Sequence, residues 1–177
     1  MIIKHKFLDK YLITGKKNLI IGTFNPDIIC NEANFFYSRK RNYFWNLLPS
    51  VFNSEPMKDK SIESKINFLK INDIELTDLI LSVNISEDDI PFYGDDKLNK
   101  VIKWNTSNII NILKKHKTQN VYFTRKSFDR KVENIKIEID KIKAFCENNG
   151  MKFEFLPTPS RHANDKKLKE WKSKFKD

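Results

Sequence analysis

A chain of 177 residues has the size of one domain and can bury about 70% of its unfolded surface in a single core. Its 33 Lys and Arg against 23 Asp and Glu leave a formal charge of +10, which favours an anionic partner such as nucleic acid. Two cysteines, Cys30 and Cys146, are too few for a disulfide framework, a structural zinc site or a four-cysteine iron–sulfur cluster. No apolar run approaches the roughly 20 residues of a membrane span, and Met1 to His5 lack the apolar core of a signal peptide, so a soluble, cytoplasmic protein is expected.

Residues 1 to 17 carry five lysines against Asp9, and Phe7, Leu8, Tyr11 and Leu12 stand at helical spacing, which predicts a short amphipathic lead-in. Leu19-Ile20-Ile21, bounded by Gly22, reads as a buried parallel strand ending in a tight turn. Beyond its carboxyl end come Asn25-Pro26-Asp27, where an open α/β sheet holds its ligands. Phe35-Phe36-Tyr37, Arg39-Lys40-Arg41 and Asn42-Tyr43-Phe44-Trp45 then place aromatic rings and cations within eleven positions, the mixture that a nucleobase pocket requires. Taken alone, an Asn-Pro after a strand is usually a turn, and an aromatic box is more often core than pocket. Asp27 has the same two readings, a general base at a helix entrance or a cap and turn residue.

Tyr43 to Phe52 predicts a helix interrupted near its end by Pro49, and a second helix starts near Ser61 with Glu63 in its first turn. Ile74 to Leu81 reads as one strand with Asp78 inside it, either a functional acid or a hydrogen-bonded carboxylate. Glu87, Asp88, Asp89, Asp95 and Asp96 form an acidic loop around a Pro91-Phe92-Tyr93-Gly94 turn, expected to point away from DNA or to hold a basic neighbour. A helix over Asn105 to Lys117 leads to a strand at Val121 to Thr124. Val132, Ile135, Ile139, Ile142 and Cys146 are spaced three and four apart, so Ser127 to Gly150 reads as a crossover helix whose solvated face carries Lys131, Lys136, Lys141 and Lys143. A last strand over Lys152 to Leu156 and a terminal helix docked by Leu168, Trp171 and Phe175 complete the chain. The expected fold is a single domain over 1–177, a three-layer α/β/α sandwich with a four-stranded parallel sheet, strands near 19, 75, 121 and 153.

Gly22-Thr23-Phe24-Asn25-Pro26, followed by an aromatic pair and the Asn42-Tyr43-Phe44-Trp45 box, resembles the first motif of the uracil-DNA glycosylase superfamily, nearest to its mismatch-specific uracil and hypoxanthine branches. Ile74 to Leu81 is similar to a strand of the hypoxanthine enzymes, with Asp78 on their acidic position and Ser86 to Ile90 like their following loop. Leu156-Pro157-Thr158-Pro159-Ser160-Arg161-His162 resembles the second motif, a loop that presses on the DNA backbone and inserts a side chain into the gap left by an extruded nucleotide. Two departures stand out. Thr124-Arg125 replaces the family's common Asn-Gly, so one hydroxyl stands where an amide offers both donor and acceptor. Leu156 replaces the catalytic histidine of the classical uracil enzymes.

The resemblance implies a monomeric DNA-binding enzyme, without metal or cofactor, that flips a uracil or hypoxanthine out of the stack and hydrolyses its N-glycosidic bond. It puts Asn25 and Asn42 at the reacting centre, Gly22, Phe24, Phe36, Tyr37, Asp78 and Thr124 around the base, and Thr158, Ser160 and the Arg39-Lys40-Arg41 run on the DNA, with Arg161 or His162 as wedge. Two alternatives follow from the same residues. The altered pocket and its cationic loop suit a bulky modified base, such as a glucosylated hydroxymethylcytosine of phage DNA removed in antiviral defence. A non-catalytic DNA-binding protein on the same scaffold is the other.

Overall fold

The computed structural model describes residues 1–11, 14–86, 101–128 and 132–175. In chain order its elements are β1 (Ile2–Lys4), β2 (Asn18–Gly22), α1 (Phe44–Val51), α2 (Ile62–Ile71), β3 (Ile74–Asp78), β4 (Ile80–Asn84), β5 (Val101–Trp104), α3 (Thr106–Lys115), β6 (Asn120–Phe123), α4 (Glu133–Asn148), β7 (Lys152–Phe155) and α5 (Asp165–Phe175). The expected four-stranded parallel sheet is present, in the order β3-β2-β6-β7. Strand periodicity sends alternate residues of β2 and β6 to opposite faces. Leu19, Ile21, Val121 and Phe123 pack with Ile109 and Leu113 of α3 and with Ile135, Ile139, Ile142 and Cys146 of α4. On the other face Ile20, Tyr122, Ile74 and Leu76 meet Leu47 and Leu48 of α1, Phe68 and Leu69 of α2, and Trp171 of α5.

Local chemistry ends the helices where the residue types say it should. The Ser61 hydroxyl caps α2 by accepting from the Ser64 N–H at 3.2 Å. Helix α4 closes on Gly150 at φ +68, with the Met151 N–H donating to the Cys146 carbonyl at 2.9 Å. The exposed face of α4 pairs Lys136 with Asp140, Lys141 with Glu138 and Lys143 with Glu147. Burial pushes the Cys146 thiol up to about 12, which makes it an inert core group.

Two expectations are corrected. The amino terminus is not a helical lead-in but strand β1, paired antiparallel with β4, followed by a turn at Phe7 to Tyr11. Ile3, His5 and Phe7 are buried while Ile2 and Lys4 are exposed, a period-two pattern that outweighs the helical spacing of Phe7, Leu8 and Tyr11. The segment Ile74 to Leu81 is not one strand: β3 stays beside β2, and after Leu79 the chain bends into β4, which joins a separate antiparallel sheet in the order β1-β4-β5. Asn105 ties the bend, its Nδ2 donating to the Asp78 carbonyl at 2.9 Å and to the Thr77 hydroxyl at 3.2 Å. The acidic loop, its Pro91-Phe92-Tyr93-Gly94 turn, Leu12 and Lys131 lie outside the described residues.

Trp171 is fully buried between α1 and the sheet, and its indole N–H donates to the Pro157 carbonyl at 3.0 Å. Trp171→Ala is expected to cost about 3–5 kcal/mol, read as a lower urea midpoint with an unchanged slope.

Candidate active site

From β2 the chain crosses one face of the sheet through α1 and α2 to reach β3, whereas α4 carries it from β6 to β7 over the other face. The order reverses between β2 and β6, and there, at the carboxyl ends of the strands, a doubly wound sheet opens a crevice. A cavity of about 840 Å³ occupies it, walled by Thr23, Phe24 and Asn25 after β2, Asp78 at the end of β3, Thr124 and Arg125 after β6, and Pro157 to His162 after β7. The loop before α1 and the loop after β7 are joined by their backbones. Asn42 and Ser160 form an antiparallel bridge, the Tyr43 N–H donates to the Pro159 carbonyl at 2.8 Å and the Arg161 N–H to the Arg41 carbonyl at 3.0 Å. Helix α5 braces this loop from behind through Trp171 and through Lys167, whose ammonium donates to the carbonyls of Ser160 at 3.2 Å and His162 at 2.7 Å. Desolvation lowers the Lys167 pKa.

The floor is a buried polar cluster. Asp78 is 4% exposed, and its Oδ2 accepts from His5 Nε2 at 2.7 Å. The His5 tautomer follows from its other nitrogen: Nδ1 accepts the backbone N–H groups of Phe7 at 3.0 Å and Leu8 at 3.1 Å, so the proton sits on Nε2. Tyr37 lies beside the carboxylate, its hydroxyl 3.2 Å from Thr124 Oγ1 and its ring stacked on Phe44 at 4.0 Å. A Cβ at Gly22 would stand 2.2 Å from Asp78 Oδ1 and 2.6 Å from the Tyr37 hydroxyl, so only glycine lets the two groups meet at the end of β2. Burial first, and the Asp78 charge second, raise the Tyr37 hydroxyl well above its usual 10, with the Thr124 bond opposing.

Among the described residues, four non-glycine residues take the left-handed backbone, Asn53, Asp73, Tyr37 and Arg161. Asn and Asp tolerate that region readily; Tyr37 and Arg161 do not, and both line the cavity. The two amides are held by their oxygens. Asn25 is 6% exposed and its Oδ1 accepts from Asn31 Nδ2 at 2.9 Å, while Asn42 Oδ1 accepts from the Phe44 N–H at 2.9 Å at the start of α1. Each therefore has its NH₂ group left to offer, a donor suited to a water oxygen or a carbonyl that gains negative charge.

The fold brings Gly22, Phe24, Asn25, Tyr37, Arg39, Arg41, Asn42, Asp78, Thr124, Thr158, Ser160, Arg161 and His162 to this crevice. Three expected site residues are not part of it. Phe36 is 1% exposed and packs in the core among Phe7, Phe35 and His5, because the chain turns at Tyr37 and sends successive rings to opposite sides. Asp27 is exposed and enters no helix; its N–H donates to the Lys4 carbonyl at 2.9 Å, which draws it toward β1. Lys40 is exposed outside the cavity wall, with its carbonyl bound by Lys58 at 2.7 Å. Sequence reasoning missed His5, whose partner lies 73 residues away, and the cations Lys126 and Lys167 on the wall. The alternation Ile3-Lys4-His5-Lys6-Phe7 was the available signal that His5 points inward.

No family model matches the chain, and no curated protein matches its sequence. Among solved structures it is similar to the solution NMR structure of "a putative Uracil DNA glycosylase from Methanosarcina acetivorans", with a TM-score of 0.60, 20% identity, and coverage of 92% of this chain and 90% of that one. The likeness is one of fold: this chain shares the α/β architecture of that structure. Among the described residues no helix is long and apolar enough to cross a membrane.

The raised Tyr37 value sets a direction for stability with pH. The folded chain keeps this proton when the unfolded chain loses it, so the contribution is complete below about pH 10 and is lost as pH rises further. Tyr37→Phe is expected to flatten the alkaline fall in the urea midpoint relative to the parent protein.

Proposed function

We propose that this protein is a monofunctional DNA glycosylase, which takes a base out of the stack into the cavity and hydrolyses its N-glycosidic bond. The observation that carries the reading is the meeting of the Asn25 turn and the Pro157 to His162 loop on one rim of the sheet, around a crevice of about 840 Å³. Arg39, Arg41, Arg125, Lys126 and Arg161 stand on the walls of that crevice, the charge that a phosphate backbone demands. Extrusion costs a few kcal/mol, and stacking of the base on an aromatic side chain, here Phe24, offsets about 1–3 kcal/mol of it.

In this reading the C1′–N bond ionises toward an oxocarbenium-like sugar and an anionic base. The NH₂ groups of Asn25 and Asn42 stabilise the developing charge and orient a water for attack on C1′. Neutral donors suit this task, because held in place they need no reorganisation as charge appears. Thr158 and Ser160 bond phosphate oxygens, and Arg161, on the tip of a loop stiffened by two prolines, fills the vacated stack. Thr124 and Arg125 on the wall, in place of an amide and a glycine, favour a second reading in which the base is a bulky modified one from phage DNA.

Duplexes carrying uracil, hypoxanthine or glucosylated hydroxymethylcytosine, assayed for alkali-labile abasic sites, test both readings. Product from at least one is expected. None from any, together with salt-sensitive binding, makes the protein a DNA-binding scaffold instead. Asn25→Ala is expected to lower turnover about a hundredfold or more at unchanged DNA affinity. Arg161→Ala should weaken binding of the flipped complex; unchanged affinity and rate remove it as the wedge.

A further inference from the structure

The floor of the crevice holds acceptors side by side, while the donor amides of Asn25 and Asn42 stand on its walls. His5 donates Nε2–H to Asp78 Oδ2, and a carboxylate bound in this way accepts at its other oxygen as well. Asp78 Oδ1 and the Tyr37 hydroxyl both crowd the one point above Gly22 where a Cβ would sit. The Thr124 hydroxyl lies 3.4 Å from the Ile21 carbonyl and 3.2 Å from the Tyr37 hydroxyl; when it donates to Ile21, Tyr37 is the donor to its Oγ1 and the phenol oxygen turns lone pairs toward Asp78 and the cavity. The floor residues Asp78, Tyr37 and Thr124 thus offer a base oxygens only.

A keto base fits this poorly. Uracil flanks its N3–H with two carbonyls and hypoxanthine flanks its N1–H with one, so either edge that gives a hydrogen to Asp78 also brings a carbonyl oxygen against the second acceptor. An exocyclic amino group presents two hydrogens and no lone pair in that plane. We infer that Asp78, backed by His5 and flanked by Tyr37, selects a base with an exocyclic amino group over its keto counterpart. His5 touches no base in this scheme; it is a positioning residue that keeps the carboxylate turned and accepting. Asn105, donating to the Asp78 carbonyl at 2.9 Å, holds the same residue through its backbone. The inference rests on the proposed glycosylase reading and narrows its substrate class.

The test is a binding comparison that needs no turnover. Duplexes carry one central 2′-fluoroarabino nucleotide, which resists excision, opposite an abasic gap so that pairing makes no contribution. The base is uracil or cytosine in one pair and hypoxanthine or adenine in the other, each pair differing by an oxo or amino group and the adjoining ring proton. The amino member of each pair is expected to bind about tenfold tighter or more, the worth of one hydrogen bond to a charged group. Asp78→Asn, which supplies a donor, should erase or reverse the ratio, and His5→Ala should shrink it, each affinity being taken relative to the same variant's affinity for a duplex holding a plain abasic site. Equal or tighter binding of the keto members, or a ratio that Asp78→Asn leaves unmoved, overturns the inference. Should either variant fail to fold, the wild-type ratios decide alone. Abasic-site release in the preceding assay reads on the glycosylase reading separately, so the two fail independently.

Discussion

The crevice depends on one short stretch of backbone pairing, in which residues 41 to 43 and 159 to 161 hydrogen-bond to each other across more than a hundred positions of sequence. Neither loop has a secondary structure of its own to hold it out over the sheet. Paired, they satisfy each other's polar groups and form a continuous wall, with α5 packed behind through Trp171 and Lys167. A cavity beside a fully packed core survives because its rim is stiff: two prolines, a left-handed residue at Arg161 and two backbone hydrogen bonds leave little room to collapse.

Charge is arranged in opposite senses at the two depths of this crevice. Its rim carries cations of a chain whose net charge is +10, whereas Asp78 is the acid of its floor. Burying a carboxylate is expensive unless hydrogen bonds answer it. Here His5 answers one oxygen, Asn105 anchors the backbone, and the missing side chain of Gly22 makes the space. Such a group held at 4% exposure, with an oxygen on the cavity, is costly for stability and leaves an acceptor open to the crevice.

The small antiparallel sheet has a role beyond closing the core. Strand β1 delivers His5 beneath Asp78, and the bridge between His5 and Pro26, with the Asp27 N–H on the Lys4 carbonyl, fastens the turn that carries Asn25. The Lys6 N–H on the Asn25 carbonyl at 2.8 Å adds a further tie. The amino-terminal residues are thus the frame on which the Asn25 turn is mounted, which explains why the chain bends at Leu79 to give β1 a partner.

The parallel strands, the helices α1 to α5 and the loops at the strand ends were legible in the sequence, because each rests on local periodicity or on a residue type with one conformational use, such as Ser61 before α2 and Gly150 after α4. Asn25, Thr124 and the Pro157 to His162 loop were legible by their place after strands, and Asn42 by the Asn42-Tyr43-Phe44-Trp45 box. What stayed hidden was long-range. The bend at Leu79 depends on Asn105 and on β1, the inward turn of His5 on a partner in another strand, and the sorting of Phe36 to the core and Tyr37 to the cavity on a left-handed residue whose identity does not announce it. Order along the chain determined which segments reach the crevice, since a strand's direction decides where its loop emerges. Which atoms face each other inside it was decided by tertiary packing, because a side chain's final hydrogen bonds are set by neighbours that arrive from distant sequence.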